Sequence, residues 1–287
     1  MQRFFNSLNS ILAIDGIVFI FCALGIYHTV LKIDLPIKFK SSGSVLVVKE
    51  VYENNTVLQA GDTVISIDNY KFSSEEEIEV YLDGIQQSQS IKINYFKSGL
   101  SEEIWLKPIK FYSTFYIIID SVTGFLFLLF GIFVLIKKPA EESARLFHWV
   151  TIGTAVIVTT TWGNYAFAHI GLGFILRFLF SIAYTLTPMF FLHFALIFPR
   201  NKITGNKNFL YASYLVAALL GISSFAVFLH ATSHITLMSI QLYLTFFNVC
   251  RFLIVTCIIS GLLVFLHSYK LPAKSQKRKN CVGYCWG

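Results

Sequence analysis

Four ionisable residues, Asp15, Asp120, Arg177 and Arg251, interrupt stretches that are otherwise apolar. A charge at the centre of a membrane helix costs about 2.5–3.5 kcal/mol on the insertion scale, so four cost on the order of 10 kcal/mol unless paired or hydrated. Two acids and two bases allow neutral pairing. Asp120 and Arg177 both fall in the outer part of their runs and are the expected pair; Arg251 lies deeper. Such residues act as links between helices or as a site for ligand binding or signal coupling. Thr151, Thr154, Thr159, Thr160 and Thr161 form a hydroxyl-rich stretch, able to bond across helices or back to their own backbone. His169, His230 and His234 lack metal-ligand spacing, so no metal is expected.

Catalysis has little to draw on. Zinc proteolysis within a membrane needs His-Glu-x-x-His, which puts two ligands on one helical face beside a general base. Here His193 is followed by Phe194 and Ala195. Gly221-Ile-Ser223 is only a fragment of a serine-nucleophile pattern, and the last apolar run holds no His within 240–266. Neither a P-loop nor a nucleotide-binding glycine box is present. No catalytic residue and no cofactor is expected, and the chain is read as a non-enzyme.

The elements that would carry these residues follow from composition. Of 287 residues, 55% are hydrophobic and 14% charged, with a mean hydropathy of +0.64. Soluble domains carry roughly 25% charged residues. Six runs, near 9–31, 113–136, 146–166, 174–198, 209–230 and 240–266, are long enough to cross about 30 Å of hydrocarbon as helices. Pro188 is expected to kink the fourth. Of the 16 acids, 12 lie in 33–112, and the remainder of the chain carries about +10 in short patches between the runs. That distribution excludes a basic nucleic-acid-binding face.

Orientation follows from the loops. Arg3 precedes the first run; Lys137, Lys138 and Arg145 separate the second and third; Arg200, Lys202 and Lys207 separate the fourth and fifth; Lys270, Lys274, Lys277, Arg278 and Lys279 follow the sixth. The loops near 167–173 and 231–239 carry no charge. By the positive-inside rule both termini are cytoplasmic and 33–112 faces outward. Trp105, Trp149 and Trp162 are placed near membrane boundaries. The expected organisation is a helix in 1–32, an extracytoplasmic insert in 33–112, a five-helix bundle in 113–268 and a basic cytoplasmic tail in 269–287.

Within 36–108 the pattern changes to period two with turn signals. Strands are expected at Ser44–Val51, Thr63–Ile67, Ser90–Phe96 and Glu103–Pro108, with a turn at Asp68–Asn69. Ser74 followed by Glu77 predicts a capping box opening a helix to about Leu82. Gly43-Ser-Val-Leu-Val-Val-Lys-Glu-Val51 and Val57-Leu-Gln-Ala-Gly-Asp-Thr-Val-Ile-Ser-Ile-Asp-Asn69 resemble the strand and Gly-Asp turn of a bacterial PDZ domain. Gly61 permits the tight turn and Asp62 can hold it through side-chain hydrogen bonds. The resemblance implies a small α+β domain with a peptide groove between Ile37 and Phe39 and the helix face of Ile78, Tyr81 and Leu82. Its partner would be a peptide or a protein C-terminus. The segment Asp34-Leu-Pro-Ile-Lys38 departs from the family's Gly-containing carboxylate loop, and Pro36 removes one N–H.

The fold class expected is therefore a polytopic α-helical membrane protein of six transmembrane helices with an inserted PDZ-like α+β domain. The order of helix, outward PDZ domain and helix bundle resembles the input region of polytopic bacterial sensor histidine kinases, such as the competence-pheromone receptor kinases. Thr187-Pro-Met-Phe-Phe-Leu-His-Phe-Ala-Leu-Ile-Phe-Pro-Arg200 is similar to a stretch common in those regions. The resemblance implies a signal-input module of a two-component system in the bacterial inner membrane. It would regulate a cytoplasmic kinase or phosphatase output, with membrane lipid and a second copy of the chain as further partners. The segment Gln276–Gly287 diverges from the basic stretch that continues such regions. A two-base shift in one permitted coding of Asn280–Gly287 restores Leu-Arg-Trp-Val-Leu-Leu-Gly, so a slipped frame or a truncated gene is expected there. The alternative from a different class is a non-signalling scaffold whose PDZ-like domain recruits an envelope protein or protease.

Overall fold

The computed structural model describes residues 8–43, 45–52, 57–83, 85, 88–97, 99–161, 163, 171–199, 201–203, 208–233 and 236–283. The predicted features at Arg3, Trp162, His169, Arg200, Lys207, His234 and 284–287 lie outside them.

The chain opens with helix α1 (Leu8–Val30), then folds into strands β1 (Ile33–Asp34), β2 (Ile37–Ser42), β3 (Val45–Val51) and β4 (Thr63–Ile67), helix α2 (Glu75–Leu82), and strands β5 (Ile91–Lys97), β6 (Leu100–Leu106) and β7 (Ile109–Lys110). Five further helices follow: α3 (Thr114–Lys137), α4 (Glu142–Thr160), α5 (Gly171–Ile197), α6 (Asn208–Ser233) and α7 (Leu237–Gly283). Among the described residues, five helices are long and apolar enough to cross a membrane: α1, α3, α5, α6 and α7. The expected third run forms α4, which is not among the five. Its Glu142, Arg145, His148 and threonines lower its hydropathy. It packs against α1, α3 and α5, so much of its surface meets protein.

The insert is a five-stranded antiparallel sheet in the order β2-β3-β4-β5-β6, with α2 against β1 and β2. Period-two burial runs along β2 (Ile37 and Phe39 in, Lys38 and Lys40 out) and β5 (Ile91, Ile93 and Tyr95 in). Asp68 and Asn69 turn the chain with φ of 46° and 69°. Asp68 then fastens two elements, accepting from Lys92 N–H at 2.8 Å and from the Tyr81 hydroxyl at 3.0 Å. The two-residue pair β1–β7 closes the base of the insert, so the chain enters and leaves it side by side.

Ser74 caps α2: Glu77 N–H donates to Ser74 Oγ at 3.2 Å. The reciprocal half of the box is shifted by one residue, because the Glu77 carboxylate accepts from Ser73 N–H at 2.7 Å. Ser113 caps α3 in the same way through Tyr116 N–H. Pro188 lies within α5, and Lys202 Nζ donates to Ala195 O at 2.8 Å near its C-terminal end.

Small residues bring the bundle helices close. A Cβ on Gly25 or Gly124 would collide with Thr159, and one on Gly131 with Thr151. The hydroxyls that allow this are satisfied within α4: Thr151 donates to His148 O at 2.9 Å and Thr159 to Ala155 O at 2.9 Å.

Candidate functional site

Helix α2 is the part of the insert that faces the bundle, and two membrane helices hold it. Lys32, just past the end of α1, is 4% exposed and reaches Glu79 Oε1 at 2.5 Å and Asp83 Oδ1 at 3.5 Å. Its ammonium also stands 4.8 Å from the centre of the Phe111 ring. Burial disfavours the Lys32 ammonium, but the Asp83 and Glu79 carboxylates more than offset this and raise its pKa above the ordinary lysine value. Burial pushes the Asp83 carboxyl up to about 6 against the pull of Lys32, and Glu79 adds to the rise.

The second hold comes from the start of α7. Ile240 is buried within the hydrophobic core of the insert, with Leu244 packed beside it. Gln241 Nε2 donates to Glu77 Oε1 at 3.1 Å. Glu77 therefore serves the α2 N-terminus and the contact with α7 at once. No sequence periodicity marks this link, since Ile240 reads as one more apolar residue in a membrane run.

Below α2 lies a cavity of about 460 Å³, walled by residues of α2, α3, α4, α5, α6 and α7. Three of the four intramembrane charges, Asp120, Arg177 and Arg251, line it together with Lys32, Glu79 and Asp83. The expected Asp120–Arg177 ion pair does not form. The Arg177 guanidinium instead lies over the faces of Phe180 (4.5 Å) and Phe228 (5.1 Å) and donates to the Tyr243 hydroxyl. Aromatic faces accept a guanidinium through their quadrupole, which lets the residue remain near protein without a carboxylate. Arg251 stacks on Phe247 at 4.8 Å and donates to Asn248 Oδ1 at 3.1 Å. Asp15 lies elsewhere, 3.2 Å from His148 Nε2, with both side chains at most 2% exposed. Sequence reasoning missed that partner because it treated histidine as neutral.

The five residues proposed for a peptide groove, Ile37, Phe39, Ile78, Tyr81 and Leu82, are 2–8% exposed and belong to the core of the insert. A cavity of about 250 Å³ does lie between β2 and α2, and Phe39, Ile78 and Leu82 reach it; Ile37 and Tyr81 do not. Asp34, Glu75, Glu76 and Glu79 line it against the single cation Lys38. Burial raises the Asp34 pKa, a hydrogen bond from Leu35 N–H opposes the rise, and Glu75 and Glu79 add to it. Strand β2 is one edge of the sheet, β6 the other.

Gly61 adopts a φ of 102°, and Asp62 Oδ2 accepts from Gln59 N–H at 2.8 Å. Trp105 lies on β6, 61% exposed, and not at a helix end; Trp149 stacks on Phe190 within the bundle. His230 occupies the last turn of α6.

No protein family, no curated protein and no solved structure matches the chain.

Proposed function

We propose that the chain is a membrane signal-input module in which the insert senses an extracytoplasmic stimulus and α7 carries the response inward. In this reading α4 is a sixth span, shielded by its neighbours. Both termini are cytoplasmic, and residues 33–112 form an outward PDZ-like domain on a bacterial inner membrane. The output is a cytoplasmic histidine kinase or phosphatase. The observation that carries the reading is the double hold on α2: Lys32 from α1, and Ile240 with Gln241 from α7. A helix that begins in the core of the sensing domain and continues through Gly283 spans about 70 Å at 1.5 Å per residue, enough to cross the bilayer and project beyond it.

The stimulus would act at the edge strand β2 and the cavity beside it. Four carboxylates there disfavour a free C-terminal carboxylate and favour a cationic segment added along β2. The scaffold reading uses the same open edge but has no use for the α7 contact.

The test is topological and mechanical together. In intact cells carrying single cysteines on a cysteine-free background, an impermeant maleimide should label position 40 on β2, and should label position 138 only after permeabilisation. Labelling of position 138 in intact cells would overturn the orientation. A peptide that binds β2 should also change the rate at which cysteines at positions 77 and 241 crosslink. A bound peptide that leaves this rate unchanged would favour the scaffold.

A further inference from the structure

The 460 Å³ cavity is lined by charges of both signs, of which the Asp120 carboxylate and the Arg177 Nε have no partner among the described residues, while Arg251 is exposed and held by Asn248 and the Phe247 ring. Lys32 is accounted for by Glu79 and Asp83. Asp120 is 9% exposed and has no hydrogen-bond or ion-pair partner among the described residues. Arg177 Nε is buried and unpartnered, and among the described residues no carboxylate lies within ion-pair distance of Arg177 or Arg251.

Of these, Asp120 is the buried charge, and a buried charge without a counter-charge is costly. A simple cation would satisfy Asp120 and add to the positive field of the two arginines. A simple anion would do the reverse. A molecule carrying both charges serves both sides.

Depth and shape narrow the choice. Asp120 lies between one and two turns into α3, about 9 Å along its axis at 1.5 Å per residue, in the third of the helix that adjoins the insert. The volume falls within the range of about 300–1,000 Å³ usual for small-molecule sites. Phe228, Leu244 and Phe247 supply an apolar wall. Guanidinium groups match phosphate, and an ionised carboxylate needs N–H donors, which a quaternary ammonium lacks.

We propose that this cavity binds an aminoalkyl phosphate zwitterion, with its primary ammonium at Asp120 and its phosphate between Arg177 and Arg251. Phosphatidylethanolamine carries this group as a headgroup, and free O-phosphoethanolamine carries it in solution. The inference goes beyond the sensor reading and does not depend on it.

The experiment uses the full chain purified in maltoside detergent, with thermal unfolding read while one additive is titrated. The additives are phosphatidylethanolamine, phosphatidylcholine, phosphatidylglycerol and O-phosphoethanolamine. Phosphatidylethanolamine should reach half its effect at about one-tenth the concentration needed for phosphatidylcholine or phosphatidylglycerol, the ratio expected of one charge-assisted hydrogen bond. Asp120→Asn removes a buried charge and should still fold; it should bring the three lipids within about twofold of one another. Arg251→Gln should weaken all three. A shift with O-phosphoethanolamine that Asp120→Asn abolishes assigns the site to the soluble source; a shift with phosphatidylethanolamine alone assigns it to the lipid. Equal half-effect concentrations for the three lipids, or an Asp120→Asn variant that keeps the preference, would overturn the proposal.

Discussion

Gln241, in the second turn of the last helix, donates a hydrogen bond of 3.1 Å to Glu77 on the helix of the insert, across 164 residues of sequence. One turn of α7 is therefore part of the insert and the remainder part of the bundle. Glu77 is 2% exposed and also accepts from Ser73. A displacement of α2 cannot leave α7 where it was without breaking this part-buried hydrogen bond, which costs on the order of 0.5–1.5 kcal/mol.

The Lys32 cluster gives the protein a pH dependence of known sign. Asp83 titrates near 6 in the fold, above the ordinary carboxyl value of 3.8. Between those two values the folded state binds more protons than the unfolded one, so this group adds stability as pH falls from about 6 towards 4. It costs stability above about 6, by up to about 3 kcal/mol. Thermal melts of the full chain should therefore show the melting temperature of the native chain rising relative to Asp83→Asn between pH 7.5 and 5. A constant difference across that range would show that Asp83 titrates normally.

Asp15 and His148 face one another at 3.2 Å inside the bundle. Removing one partner leaves the other polar side chain buried among helices without its neighbour, at a cost of about 1–3 kcal/mol. Asp15→Ala and His148→Ala should each lower stability, and the double variant should lose less than the two together by about 0.5–3 kcal/mol. Strict additivity in that cycle would mean that the two side chains do not interact.

Close helix contact at Gly124 depends on Thr159. The atom nearest to a Cβ placed there is the Thr159 Cγ2 methyl. Gly124→Ala should cost about 1–3 kcal/mol through overpacking. Adding Thr159→Ser, which removes that methyl and keeps the hydroxyl, should restore most of the loss. Failure of the second change to rescue the first would locate the clash elsewhere.

Much of the architecture was legible because the bilayer and the pleated sheet impose simple periods. Long apolar runs located α1, α3, α5, α6 and α7, and alternation located β3, β4 and β5 to within a residue. The pair β1–β7 was too short to leave a pattern. Helix α4 read as one more apolar run by length, and its threonines and charges belong to a helix that packs against α1, α3 and α5. Charge pairing was not legible at all. The count of two acids and two bases suggested Asp120 with Arg177, whereas aromatic faces took Arg177 and a histidine took Asp15. The residues of the Lys32 cluster are 47 and 51 positions apart, and only the fold brings them together.

In the proposed signal-input module the insert and α7 move as one mechanical unit. Hydrogen–deuterium exchange on the full chain in lipid nanodiscs tests it, comparing the native protein with Ile240→Ala/Gln241→Ala. Truncating the buried isoleucine should itself cost about 2–5 kcal/mol. Exchange should be faster in α2 (Glu75–Leu82) and, in the same variant, along α7 well beyond the substituted turn, through Leu253–Ser268. Exchange that changes only at positions 237–244, with α2 and the rest of α7 protected as before, would contradict it.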